Sequence, residues 1–235
     1  MDIHKPKPIH SWRDLGTEIG VIVIGILIAL GLEQVVEEYH ARSELAETRS
    51  VIAEDLKRAL AGEAMLERSA KCQERQFAAL NAAVGHGDLA RANKLMGMSS
   101  LYAALPVSDA VWTTALASDV TYGMTPEERD HYNGAYFLAR RQGEFQVAFF
   151  RSQARFDKLV GSDLSASPDA PGRALDQLVE MEAIADNSRG VMFQLRRTTE
   201  QVLGKVSVEP EPWQATFIAQ CETAADAMSG KKSAT

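Results

Sequence analysis

A chain of 235 residues can bury one working core and still carry an appendage, and its overall composition is that of an ordinary globular protein. The net charge of −7, with acids and bases interspersed, disfavours nucleic acid as a partner. Two cysteines, Cys72 and Cys221, are too few for a disulfide scaffold and stand in no metal-ligand spacing.

The first predicted element is the apolar run "EIGVIVIGILIALGLEQ", Glu18 to Gln34. Extended from Leu15 to Val36, a helix here reaches about 33 Å, enough for a ~30 Å hydrocarbon core, and Glu18 and Glu33 then fall near the two interfaces. Trp12 stands where an interfacial anchor is expected. The run reads as an uncleaved transmembrane signal anchor over 15–36, against a cleaved signal peptide, for which Ala29-Leu30-Gly31 offers small residues, and a buried soluble helix, which would carry a polar stripe. Lys5, Lys7 and Arg13 precede the run and only Arg42 follows it closely, which predicts a cytoplasmic segment over 1–14 and a periplasmic body over 37–228. With only the residues up to Glu18 before the run, any signalling output would have to pass through a membrane partner.

At 100° per residue, Glu18, Ile22, Gly25, Ala29, Glu33 and Val36 share roughly 80° of arc. Small residues let helices approach in lipid and ionisable ones prefer a protein-facing side, so this face is a candidate membrane-helix interface. The plainer alternative has the glutamates snorkelling independently, and Gly16 and Gly20 form a second small pair on the opposite side.

Beyond Gln34, Leu45, Ile52, Leu56, Ala59, Leu66, Ala70, Phe77, Leu80 and Val84 keep a four-three spacing that Arg49, Glu63 and Gln73 interrupt. The pattern predicts one helix continuous with the membrane segment to about Val84, its seam belonging to a bundle in preference to a free coiled coil. "GHGD", Gly85–Asp88, ends it and starts a short helix to about Met98. After Pro106, a helix with Ser108 or Asp109 as cap and Trp112 on its apolar side runs to about Asp119. Thr125, Pro126 and Glu128 form a capping box opening a helix to about Val160, which gathers Tyr132, Tyr136, Phe137, Phe145, Phe149, Phe150 and Phe156. "GSDLSASPDAPG", Gly161–Gly172, is a loop. A helix over about Arg173–Lys205, the break "EPEP" at 209–212, a short helix over Trp213–Met228 and a flexible tail over 229–235 complete the chain. The fold class is all-α: a membrane helix continuing into a bundle whose long helices pack antiparallel across short turns.

Chemistry is sparse. His4, His10, His40, His86 and His131 are scattered, and no HExxH, CxxC, Walker, GxSxG or dinucleotide fingerprint occurs, so neither enzyme activity nor a metal or other cofactor is expected. Trp112, Tyr132, Tyr136, Phe145 and Phe149 are candidates to line an apolar ligand pocket, or else belong to the core. Cys72 and Cys221 are candidates for a bridge stapling the last helix to the first, or are two buried thiols.

"SWRDLGTEIGVIVIGILIALGLEQ" resembles the N-terminal signature of a family of uncharacterised bacterial single-pass membrane proteins with an E-I-x-x-x-x-I-G-I-L-I-A-L anchor, and "VSDAVWTTALASDVTYGMTPEERDHYNGAYF" is similar to that family's later segment. Here the run ends Gly-Leu-Glu-Gln, a departure from the family pattern. The resemblance implies an anchor and a helical body and implies no activity. The expected function is that of a noncatalytic inner-membrane interaction protein, in contact with membrane lipid and either homo-oligomeric or an accessory subunit of an envelope complex. The alternative is a periplasmic ligand-sensing module.

Overall fold

The computed structural model describes residues 12–98, 101, 108–161 and 167–229; the expectations that fall on Lys5, Lys7, Pro106 and the tail beyond Ser229 lie outside them. Among the described residues there are six α-helices, one 3-10 turn and no strand. The order is α1 (Trp12–Gly85), α2 (Leu89–Met96), α3 (Ala110–Ala117), the 3-10 turn (Asp119–Gly123), α4 (Pro126–Gly161), α5 (Ala170–Leu203) and α6 (Pro212–Ser229).

Helix α1 is uninterrupted over 74 residues because neither proline nor a positive-φ glycine intervenes before its end. Gly87, at φ +71, terminates it: its amide donates to the Val84 carbonyl and that of Asp88 donates to the Ala83 carbonyl, the paired closure that a left-handed glycine permits. Asp88 then caps α2 by accepting from the Arg91 amide. Thr125 Oγ1 accepts from the Glu128 amide at the start of α4, with Pro126 in the first helical position. Helix α5 starts at Ala170, three residues earlier than the sequence suggests, because Pro171 suits a first turn whose amides need no partner. Gly204, at φ +74, ends it.

The bundle begins near Leu45. Helix α5 runs antiparallel to both α4 and α1: Gln142 meets Ser188 and Ser152 meets Gln177, while Glu63 meets Arg196. Helix α4 runs parallel to α1, with Arg49 opposite Glu128 and Asp55 opposite Tyr136. That departs from the antiparallel expectation, since the chain between Gly85 and Pro126 carries α2, α3 and the 3-10 turn back to the starting end instead of reversing in a tight turn. Helix α6 is also parallel to α1, made so by the extended linker after Gly204.

Two apolar centres fill the bundle. The one nearer the N-terminal half of α1 joins Ile52, Leu56, Met65, Trp112, Tyr132, Tyr136 and Leu195; the distal one joins Phe77, Leu80, Leu89, Phe149, Phe156, Leu178 and Met181. Each residue in these sets has nine-tenths or more of its surface out of water, and burial of that kind stabilises by about 1.5–3 kcal/mol per large side chain.

Candidate functional site: the free helix and its root in the bundle

Residues 12–44 of α1 leave the bundle altogether. At 1.5 Å per residue this is about 50 Å of single helix, and none of its apolar window is buried. Ile22, Ile24, Leu27, Ile28, Leu30 and Leu32 are each more than half exposed. A contiguous apolar surface of that size is untenable in water, and the helix is long and apolar enough to cross a membrane. Its complete exposure removes the buried-helix reading of the sequence. Glu18, Ile22, Glu33 and Ala29 are exposed, and a Cβ built on Gly25 would meet nothing within 4 Å, so none of the described residues occupies that face.

The sequence grouped Trp112, Tyr132, Tyr136, Phe145 and Phe149 as a candidate pocket, and the structure divides them. Trp112 packs on Tyr132 and Tyr136 with ring centroids 5.4 and 6.1 Å apart, its indole N–H donating to Asn133 Oδ1 at 2.7 Å. Phe149 lies in the distal centre, and Phe145 is half-buried with the Arg141 guanidinium 5.5 Å from its ring centroid. Phe149 lies thirteen residues of helix beyond Tyr136, so more than three turns carry it past the centre that holds the tyrosines. The tyrosine pair fills space as core. Tyr136 donates to Asp55 Oδ2 at 2.9 Å, and burial, reinforced by that carboxylate, pushes its phenol far above the ordinary range.

Ion pairs tie the helices at positions the heptad pattern registered as interruptions. Arg49 donates twice to Glu128, both bonds 2.7 Å, joining α1 to the first turn of α4. The guanidinium bonds hold the Glu128 carboxyl below its ordinary value of 4.5, with burial opposing and the Thr125 backbone assisting. A lowered folded-state value contributes stability above the unfolded value and loses it as pH falls through the folded one. Glu128→Gln is therefore expected to lower the unfolding midpoint at about pH 7 and to show a smaller deficit at about pH 3, below the unfolded value, where the parent is losing that stability. Equal deficits at both pH values would show that the pair contributes packing alone. Glu63, only 7 % exposed, accepts from Arg196 through both Nε and Nη2. Gln73 bonds Ser69 Oγ at 3.1 Å within α1.

Cys72 and Cys221 are joined in a disulfide that links α1 to α6 across a separation of 149 residues. Both sulfurs are fully buried, beside Ala225, and the Gln76 amide donates to the Cys221 carbonyl at 3.0 Å. Among the described residues no group of three His, Cys, Asp or Glu side chains could hold a metal ion. An open cleft of about 590 Å³ lies between α1 and α3 where the free helix enters the bundle, a feature sequence reasoning missed because its two walls, Glu44 to Val51 and Ala110 to Ser118, are far apart in the chain. No protein-family model, curated protein or solved structure matches the chain.

Proposed function

We propose that this chain is a noncatalytic membrane-anchored interaction protein of the bacterial envelope, crossing the inner membrane once over 15–36 and presenting its bundle to the periplasm. The observation that carries the reading is the length of apolar helix standing clear of a bundle that closes its own core without it. Continuity of α1 through Gly31 favours a retained anchor over a cleaved leader, because cleavage would cut the helix in mid-turn. The disulfide favours an oxidising compartment for the body, in agreement with the basic residues ahead of the span. Two of the buried ionisable groups are tied in pairs that join helices, Glu63 with Arg196 and Tyr136 with Asp55, which supports structural over catalytic roles.

Association in the plane of the membrane would use the face of Glu18, Ile22, Gly25, Ala29 and Glu33, where small residues allow close backbone approach. Replacing Gly25 and Ala29 together with leucine is expected to weaken assembly by at least about tenfold, roughly 1.4 kcal/mol. Crosslinking of the tagged full chain in intact cells, before and after the double change, reads this directly. Adducts of unchanged yield would remove the interface. Self-adducts alone would make the protein a homo-oligomeric scaffold, and a single foreign partner would make it an accessory subunit.

A further inference from the structure

The cleft at the root of the free helix is floored by Val51, Val111 and Ala115 and rimmed by Glu44 and Glu47. Val51 is nearly half exposed, while the rim carboxylates make no ion pair or hydrogen bond among the described residues. Its volume is that of a site for several side chains, not of a packing defect.

The position of the cleft on α1 narrows what fits it. At 100° per residue, Glu33, Glu37, Glu44, Glu47 and Val51 fall within about 80° of one another, and that arc continues the face of Gly25 and Ala29. One side of α1 therefore runs from small residues in the membrane, through a line of carboxylates, into an apolar cleft about 12 Å beyond Val36. Of the basic side chains between Val36 and Leu45, Arg42 pairs with Glu38 on the opposite side and His40 stands among the carboxylates, where it leaves the face acidic; Arg49 is held by Glu128. A second copy in the same orientation would bring its own Glu33, Glu37, Glu44 and Glu47 to the same heights. At helix separations of about 8–10 Å those like charges repel.

Resting on the proposed function, we infer that this face and its cleft dock a different membrane protein, one whose segment just outside the bilayer is a helix with basic residues on the side that also carries apolar ones. The basic side chains meet Glu37, Glu44 and Glu47, and an apolar side chain enters between Val51 and Val111. Charge complementarity sets partner choice, and the small membrane face lets the two spans approach.

The test places a photoreactive benzophenone residue at Thr114, on the cleft wall, in the full-length chain in intact cells, with the same probe at Ala29 as an independent report on the membrane segment. The expected product at Thr114 is a foreign adduct whose crosslinked peptide lies within about ten to fifteen residues of a membrane span and carries net positive charge. The double change Glu44→Lys and Glu47→Lys should cut its yield by about tenfold or more, and Glu44→Gln with Glu47→Gln by less. Retention of the Cys72–Cys221 bond certifies folding of each variant, and the glutamine pair keeps the test decisive if the lysine pair misfolds. A self-adduct at Thr114, a foreign peptide without basic residues, or a yield indifferent to the charge changes overturns the inference. Adducts at Ala29 with none at Thr114 overturn it while sparing the proposed function, and adducts at neither overturn both.

Discussion

Replacing Arg196 with alanine is expected to destabilise the bundle by about 3 kcal/mol, the low end of what breaking a buried ion pair costs. The reason lies in the partner left behind. Glu63 has 7 % of its surface exposed, and Arg196 is its cation, bonding through two nitrogens from a helix 133 residues away in sequence. Without the guanidinium the carboxylate is left in a poorly solvated site without its counter-charge. Replacing both residues with leucine should recover most of the loss, since two apolar side chains need no counter-charge and close the same gap between α1 and α5. Urea unfolding of the detergent-solubilised full chain, comparing each single variant with the double, measures the coupling. A loss below about 0.5 kcal/mol for Arg196→Ala would mean that water reaches Glu63 freely and that the pair is a surface contact.

That pair also shows where the sequence was legible and where it was not. The spacing from Leu45 to Val84 announced a long helix with a buried seam, and Arg49, Glu63 and Gln73 registered as faults in it. Periodicity measures polarity along one helix and carries nothing about what stands opposite. Arg49 and Glu63 are cross-helix ties; of their partners, Glu128 read only as the far half of a capping box and Arg196 as an ordinary charged residue. Local signals did better because their physics is local. Thr125 with Pro126 set the start of α4 and the glycines of "GHGD" the end of α1, whereas Gly204, which the spacing ran past to Lys205, ends α5 by adopting a backbone conformation that other residues resist.

Helix direction was the weakest inference. Short turns enforce antiparallel neighbours, but α1 and α4 are not joined by one, and the forty residues of chain between them hide the return. The aromatic grouping failed for a related reason. Tyr132 and Tyr136 are one turn apart and share the Trp112 centre, whereas Phe149 lies thirteen residues beyond Tyr136 and about 140° round α4 from it, in the centre of Phe77 and Phe156. Aromatic residues gathered on one long helix need share neither face nor depth in a bundle with two centres. The long apolar helix needed no partner to be recognised, since its signal is a property of one continuous stretch.

Reducing the Cys72–Cys221 bond is expected to cost about 2–4 kcal/mol, a value typical of disulfides that close long loops. Helix α6 depends on it more than α4 or α5 would. Its contact with α1 around the bond is made by small side chains, Cys221 and Ala225, with Met228 in the distal centre and Phe217 and Ile218 only partly buried against the proximal one. The remaining ties are polar: Gln76 to the Cys221 carbonyl, and Arg75 to Glu222 and Asp226 at half-exposed sites where ion pairs contribute little. Cys72→Ser with Cys221→Ser should therefore lower the unfolding midpoint and open α6 to proteases before the rest of the bundle, and added reductant should have no further effect on that variant. A parent protein whose midpoint is unmoved by reductant under conditions that break the bond would show that α6 is held by packing after all. The same bond reports topology. Both sulfurs are fully buried, so labelling with a maleimide after acid quenching and denaturation distinguishes a bonded pair from two thiols formed in the living cell. A bonded pair agrees with a body outside the cytoplasm, whereas two free thiols in otherwise unstressed cells would place the bundle on the reducing side and reverse the orientation of α1.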